Sequence, residues 1–200
     1  MGINYFLPDF FYTKKIENHQ EIKEDLYTHI QSLDTDSLAR PWNLCNVRSS
    51  YDDGNPRAEI NQFLYKNEAF TSAIWETYDE MLDTDFIKNS INYRFPKQSK
   101  LESVWFNMYG AGDYQEIHNH IFMNCLYTCL YILHDESKTG VCMHSSVPTI
   151  DQYCAAGAVD TRQMGYGEGH MLIFPSYTPH YVTPATGNRV TIAGNIMSRW

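Results

Sequence analysis

The chain has no hydrophobic run long enough to cross a membrane, which takes about 18 apolar residues, so we expect no membrane-spanning segment. It is also poor in cationic residues, since 15 Lys and Arg face 24 Asp and Glu and the formal net charge is −9 at pH 7. A negative chain repels phosphate backbones, which argues against a nucleic-acid partner. The five cysteines contain no C-x-x-C pair. We therefore expect no zinc ribbon and no thioredoxin-type motif, and we interpret the cysteines as reduced thiols of a cytoplasmic protein.

The length of the chain favours one domain, residues 1–200. Two hundred residues are enough for a sizeable core and too few to favour two domains. In the mixed, polar first half (1–100), apolar residues at nearly helical spacing predict helices over 16–33 and 58–82. Ahead of them, FLPDFFYTKK predicts an edge strand. We expect this half to support a β core formed by 101–200.

The second half of the chain consists of short runs of aromatic and β-branched residues, broken by Gly and Pro. These runs favour strands, and the aromatic content of 14% supports this interpretation. Many short strands with turns between them indicate a sandwich or barrel. The predicted strands are 102–109, 114–120, 124–133, 140–146, 170–175, 180–184 and 189–197.

A pair of histidines one residue apart, His118 and His120 in EIHNH, is the most specific feature of this half. On a strand, residues i and i+2 point to the same face, so both imidazoles can reach one ion. His180 could close the site from a neighbouring strand, and neutral imidazole suits divalent iron, zinc, copper or nickel. Arg189 follows His180 by nine positions. A cation beside a buried arginine would hold a small dicarboxylate.

A turn at ATGN (185–188) predicts a hairpin between HYVTP and RVTIA. If the turn is centred there, His180 lies opposite Thr191 and Val182 lies opposite Arg189. Opposed residues share a face, and so do residues i and i+2. His180, Arg189 and Thr191 would then point into the same space.

Taken together, four segments resemble the iron(II)- and 2-oxoglutarate-dependent oxygenases, and within them a small H-x-H group related to prolyl hydroxylases. The segments are WFNMYGAGDYQEIHNH, CLYTCLYIL, GYGEGHMLIFPSYTPHYVTP and RVTIAGNI. The resemblance covers 102–197 well and the first hundred residues hardly at all. It implies a mainly β fold with flanking helices, a double-stranded β-helix of the jelly-roll or cupin type, with iron at its mouth.

The resemblance also implies residue roles. His118 and His180 would ligate iron(II), and Arg189 would bind the distal carboxylate of 2-oxoglutarate with help from the Thr191 hydroxyl. The strand that carries Asn107 and Tyr109 lines the cosubstrate pocket in relatives. The reaction would consume O₂, hydroxylate a C–H bond of a small-molecule or peptide substrate, and release succinate and CO₂.

The chain departs from the family at the third metal ligand. Where the usual motif is H-x-D/E, this chain has H-N-H, so His120 stands in the place of the carboxylate. Glu116 has the same strand parity as His118 and is the alternative third ligand. Two other functions stay open: a three-histidine dioxygenase of the cupin type that does not use 2-oxoglutarate, and a non-catalytic metal-binding jelly roll. The sequence identifies neither the substrate nor the oligomeric state.

Overall fold

A computed structural model describes residues 2–6, 9–38, 45–52, 55, 58–90, 99–122, 124–137, 139–146 and 159–198. Within these ranges the chain forms eleven strands and four α-helices. The strands are β1 (Gly2–Phe6), β2 (Asp9–Lys15), β3 (Arg48–Ser49), β4 (Ser99–Tyr109), β5 (Gln115–His118), β6 (Cys125–Asp135), β7 (Val141–Met143), β8 (Val159–Asp160), β9 (His170–Pro175), β10 (His180–Val182) and β11 (Arg189–Ser198). The helices are α1 (His19–Ser32), α2 (Gln62–Lys66), α3 (Glu68–Leu82) and α4 (Asp85–Ser90).

The strands form two antiparallel sheets. The major sheet has seven strands in the order β1-β2-β9-β6-β11-β4-β3, and the minor sheet has four in the order β5-β10-β7-β8. Every strand pair in both sheets is antiparallel. Two such sheets around a shared core make the mainly β jelly roll that the sequence predicts.

The major sheet is buried on both faces. Side chains alternate along each strand, so Phe10 and Tyr12 join the core under the helices, whereas Phe11 between them joins the core between the sheets. In the same way Tyr131 faces the helices and Ile132 faces the minor sheet. The ten residues of β11, at the centre of the sheet, are all buried. Burial on both faces explains why these strands read as continuous apolar runs rather than alternating ones.

The helices cover the outer face of the major sheet. In α1, Ile22, Leu26 and Ile30 are buried at four-residue spacing, as the predicted helix over 16–33 requires. The prediction of one helix over 58–82 is wrong in one respect, because the chain breaks at Asn67 into α2 and α3. The Asn67 side chain accepts a hydrogen bond of 2.8 Å from the Phe70 N–H and caps α3. No helix of the described part of the chain is long and apolar enough to span a membrane.

The first hundred residues contribute strands as well as helices to the major sheet. The predicted edge strand is β2, and its position is wrong, because β2 pairs with β9 on one side and with β1 on the other. The edge is β1, which the sequence analysis did not predict.

The predicted hairpin between β10 and β11 does not form. β10 pairs with β5 and β7 in the minor sheet, whereas β11 pairs with β4 and β6 in the major sheet. The connection crosses between the sheets and is held by hydrogen bonds to other loops, including Ala185 N–H to Asp113 O at 2.8 Å and Glu136 N–H to Asn188 O at 2.9 Å. His180 and Thr191 still approach each other, because the two sheets face each other.

The described cysteines are free thiols, as predicted: Cys45, Cys125, Cys129 and Cys142. Cys154 lies outside the described residues. Burial raises the pKa of Cys125 and of Cys129 to about 12, so neither is a reactive thiolate at neutral pH.

Candidate metal centre and cosubstrate pocket

Three histidines from two neighbouring strands meet between the sheets. His118 ends β5, His120 follows two residues later, and His180 begins β10 directly opposite His118. One ring nitrogen from each lies within 4.8 Å of the other two. Among the described residues this is the one cluster of His, Cys, Asp or Glu with that geometry. The structure therefore brings together the three histidines that the spacing and the resemblance select.

A bulge in β5 decides which neighbours face the cluster. His118 is opposite His180 and Gln115 is opposite Val182, so three steps along β5 match two along β10. Gln115 thus shares the inner side with His118, and its Nε2 lies 3.5 Å from His118 Nε2. Strand parity assigned that side to Glu116 as well. Glu116 is not in the cluster.

The Glu116 carboxylate lies instead beside Cys45. Burial raises the pKa of the Cys45 thiol, and the negative charge of Glu116 raises it further. The geometry therefore favours His120 over Glu116 as the third ligand.

Each histidine of the cluster has its Nδ1 held by an acceptor. His118 Nδ1 is 2.8 Å from the Glu116 carbonyl and His180 Nδ1 is 3.0 Å from the Thr178 carbonyl. His120 Nδ1 is 2.9 Å from the side-chain oxygen of Asn195. A carbonyl oxygen can only accept, so each Nδ1 must donate, and each Nε2 keeps its lone pair. These are the tautomers that a divalent cation requires.

The cluster is neutral at neutral pH. Burial lowers the pKa of all three histidines, and the charge that His118 would carry lowers those of its two partners further, that of His120 to about 4. His120 Nε2 is fully buried and has no hydrogen-bond partner among the described residues. A buried, unpartnered lone pair facing two others suits a bound cation, since leaving a buried acceptor unpaired is costly.

Aromatic and apolar side chains surround the cluster. The Trp105 ring stacks on His120 at 5.7 Å with an interplanar angle of 19°, and Phe174 meets His180 edge-on at 4.9 Å. These contacts fix the ring orientations and exclude bulk water from one side of the site.

A small cavity of about 20 Å³ continues from the histidines into the space between the sheets. Three predicted cosubstrate residues, Asn107, Tyr109 and Thr191, line it together with the cluster. Ser49 donates a 2.7 Å hydrogen bond to Asn107 Oδ1, and Tyr109 donates one of 2.9 Å to Gln115 Oε1. A cavity of this size holds about one water molecule, so a five-carbon dicarboxylate would require it to expand.

Arg189 is wholly buried beside this cavity but does not line it. It lies opposite Tyr109 on β4 and opposite Asp135 on β6. Its Nη1 donates to the Thr139 carbonyl and lies 3.6 Å from the Asp135 carboxylate, which is itself 5% exposed. Its Nε and Nη2 atoms have no hydrogen-bond partner within the described ranges. The guanidinium therefore has one nitrogen engaged by the protein and two that are buried and unpaired.

A second pocket, of about 170 Å³, opens to solvent next to the histidine cluster. Three residues line both this pocket and the first cavity: His118, His120 and Trp105. Its remaining described walls are Tyr51, Asn119, Ile121 and Phe122. Ile121 and Phe122 are large apolar side chains exposed at its rim.

Sequence reasoning missed three residues of the site: Gln115, Asp135 and Asn195. The Gln115 position depends on a bulge that leaves no trace in the sequence. Asp135 belongs to a strand whose pairing with β11 spacing alone does not predict. Asn195 did carry a signal, because it is a polar residue in the apolar run RVTIAGNI, at the same strand parity as Thr191.

No protein-family model matches the chain, and no curated protein matches it by sequence. Solved structures do match. A prolyl-4-hydroxylase from Pseudomonas putida superposes with a TM-score of 0.61 at 14% identity, covering 95% of this chain and 93% of that one. A prolyl hydroxylase from Trichoplax adhaerens, in complex with a peptide fragment of hypoxia inducible factor, gives 0.59 at 13% identity and covers 94% and 83%.

HygX from Streptomyces hygroscopicus, solved with nickel, 2-oxoglutarate and hygromycin B bound, gives a TM-score of 0.57 at 12% identity and covers 95% and 83%. At these identities the likeness concerns the fold alone. The resemblance found in the sequence is confirmed at that level: the chain has the double-stranded β-helix fold of the iron(II)- and 2-oxoglutarate-dependent oxygenases.

Proposed function

We propose that this chain is an iron(II)- and 2-oxoglutarate-dependent oxygenase, a single domain (1–200) that hydroxylates a C–H bond and releases succinate and CO₂. One observation carries the proposal. Three histidines with engaged Nδ1 atoms, two of them buried and His118 half-buried, bring one ring nitrogen each within 4.8 Å of the others, inside a fold that in HygX holds nickel and 2-oxoglutarate. Three protein ligands leave positions open on the metal, as non-haem iron oxygenases require.

In this proposal His118, His120 and His180 would hold the iron. The chemistry that the iron would supply when bound is the reaction with O₂. The protein keeps the three imidazoles neutral and correctly oriented and shields them from water with Trp105 and Phe174. An all-histidine site adds no negative charge, so the ion keeps one more positive charge than with a carboxylate ligand. This should raise its reduction potential.

Arg189, Thr191, Tyr109 and Asn107 would bind 2-oxoglutarate. The support is their placement: three of them line the cavity beside the histidines, and Arg189 has two unpaired guanidinium nitrogens behind it. Arginine binds a carboxylate through two parallel N–H groups, and Nε and Nη2 form such a pair. His118, His120, His180 and Arg189 together make up the proposed catalytic group.

The substrate would enter through the open pocket at the rim, where Ile121 and Phe122 lie next to the metal ligands. Small molecules and peptides both suit an opening of this kind, and related structures hold one of each. We propose no nucleic-acid partner and no membrane association, and we assign the protein to the cytoplasm on its net charge and its free thiols.

The test is an anaerobic titration of iron(II)-loaded protein with 2-oxoglutarate, followed in the visible spectrum. Chelation of iron by the 2-oxo acid should produce a metal-to-ligand charge-transfer band that saturates at one equivalent. Glutarate is the matched control, because it keeps the five-carbon chain and both carboxylates and lacks only the 2-oxo group. Iron binding with no such band would exclude the proposal.

A second candidate is a three-histidine dioxygenase of the cupin type, which would not use 2-oxoglutarate. The cavity of about 20 Å³ and the contact of Arg189 with Asp135 both work against 2-oxoglutarate binding, so they favour this candidate and a non-catalytic metal-binding jelly roll alike. The same titration separates these functions. Iron binding without the band, but with O₂ consumption in the presence of a substrate, would identify the cupin type, and iron binding without either would identify the non-catalytic protein.

A further inference from the structure

Asn195 is a buried amide in a strand of otherwise mostly apolar residues. It is 2% exposed, and every residue of β11 around it is buried. Thr191 and Ala193 precede it on the same strand face and line the cavity beside the histidines. Asn195 lies one further step along this face, opposite Ser103 of β4.

The Asn195 side chain links two buried groups. Its Oδ1 is 2.9 Å from His120 Nδ1, and its Nδ2 donates a 2.7 Å hydrogen bond to Ser103 Oγ. Ser103 is 4% exposed, so the pair is shielded from water that could replace either contact. The hydroxyl of Ser103 accepts from the NH₂ end of the amide, and the oxygen end faces His120.

This orientation determines what His120 can do. With the amide oxygen at Nδ1, the imidazole carries its proton on Nδ1 and keeps a lone pair on Nε2. With the amide reversed, the NH₂ group would face Nδ1 and favour the tautomer protonated on Nε2, which cannot bind a cation through Nε2. His118 and His180 have backbone carbonyls at Nδ1, whereas His120 depends on a side chain.

We propose that Asn195 is the positioning residue that makes His120 a metal ligand, with Ser103 as the acceptor for its amide N–H. The inference rests on the proposed metal centre. An imidazole in place of a carboxylate needs an outer acceptor that a carboxylate ligand would not need, and Asn195 supplies it. Removal of such an outer partner typically weakens metal binding by about 10- to 100-fold.

The experiment compares Asn195→Leu, Asn195→Asp and Ser103→Ala with the unmodified protein in titrations of the apoprotein with Co(II), followed by calorimetry and visible absorption. Asn195→Leu should weaken Co(II) binding by about 10- to 100-fold. Asn195→Asp keeps an acceptor of nearly the same shape, which Ser103 Oγ can still reach as a donor, and should retain affinity within a few-fold. Ser103→Ala removes the acceptor of the Asn195 amide N–H but keeps the amide oxygen, and it should cause a smaller loss than Asn195→Leu.

A matched control is Asn61→Leu. Asn61 is also 2% exposed and donates a buried 2.9 Å hydrogen bond, to the Ser50 carbonyl, outside the metal site. Its loss should lower stability and leave Co(II) affinity unchanged. Nitrogen-15 NMR of the apoprotein gives a readout that packing alone would not move: His120 should carry its proton on Nδ1 in the unmodified protein and in Asn195→Asp, and exchange between tautomers in Asn195→Leu.

The outcomes separate the two proposals. Unchanged Co(II) affinity in Asn195→Leu, or the same His120 tautomer in that variant, would overturn the role of Asn195 and leave the metal centre standing. Loss of binding in Asn195→Asp as complete as in His120→Ala would overturn it as well. Failure of the unmodified protein to bind Co(II) would refute the metal centre itself. The NMR comparison would still show whether Asn195 determines the tautomer of His120.

Discussion

The two ends of the cavity differ in how ready they are for a ligand. At the histidine end, every Nδ1 has an acceptor, so each Nε2 keeps the lone pair that a cation requires. At the arginine end, Arg189 is buried without lining the cavity of about 20 Å³, and it already contacts Asp135 and Thr139. The difference indicates that metal binding is preorganised and cosubstrate binding is not. Four experiments can break or sharpen this contrast, from the largest expected effect to the smallest.

The largest effect should come from His180→Ala. His180 is buried in the middle of the cluster, and its loss leaves two imidazoles, so stoichiometric binding of Fe(II) or Co(II) should be abolished in calorimetric titrations. His120→Ala should behave in the same way. Glu116→Ala is the control and should bind metal normally, because its carboxylate lies outside the cluster. Normal binding by His180→Ala would rule out the histidine end as the metal site.

Next is Arg189→Leu, which tests the arginine end alone. Removing one partner of a buried charge-assisted pair costs about 2–5 kcal/mol, so 2-oxoglutarate should bind roughly 30-fold more weakly or worse. Metal affinity should stay nearly unchanged, since Arg189 does not touch the histidines. The measurement is the titration of the charge-transfer band. A loss of only about twofold would mean that Arg189 does not receive the cosubstrate.

A smaller and opposite effect is expected from Asp135→Asn. The Asp135 carboxylate lies 3.6 Å from Arg189 Nη1 and repels a ligand carboxylate that binds the same guanidinium through Nε and Nη2. Neutralising it should tighten 2-oxoglutarate by roughly tenfold, in line with the 1.5 kcal/mol or so that a hydrogen bond to a charged group contributes. The apoprotein should melt at a lower temperature, because the buried guanidinium loses its counter-charge.

Asp9→Asn is the matched control for Asp135→Asn. Asp9 is also a buried carboxylate, but it accepts from the Ser146 backbone N–H and hydroxyl, outside the site. It should lower stability without changing cosubstrate affinity. Weaker binding by Asp135→Asn would instead show that Asp135 helps to shape the pocket.

The smallest effect concerns Glu168, which lies outside both ends. Burial alone would raise its pKa, but Lys23, the Asp135 N–H and His19 lower it to about 2. A carboxyl group whose folded pKa is below its unfolded value of about 4.3 stabilises the protein above that value and loses this contribution as the pH falls toward 2. Glu168→Gln should therefore lower the melting temperature at pH 7. The variant should also lose less stability than the unmodified protein between about pH 5 and pH 2. Metal affinity at pH 7 should not change.

The sequence indicated which histidines come together better than it indicated how the strands around them pair. His118, His120 and His180 were found from spacing and resemblance, although His120 lies beyond the end of β5. The hairpin between β10 and β11 was wrong because a turn signal does not tell which sheet the next strand joins. The inward position of Gln115 depends on a bulge, and the contact of Arg189 with Asp135 depends on strand pairing. Both are set by long-range packing that local patterns do not encode.

The central position of β11 has a consequence for how the protein acquires its site during synthesis. β11 is the last described strand in chain order, yet it lies between β4 and β6, which leave the ribosome earlier. Until residues 189–198 emerge, β4 and β6 present unpaired edges, which other chains can capture. The same strand carries Arg189, Thr191 and Asn195. A nascent chain stalled before β11 would therefore hold all three histidines and still lack both the acceptor for His120 and the cosubstrate arginine.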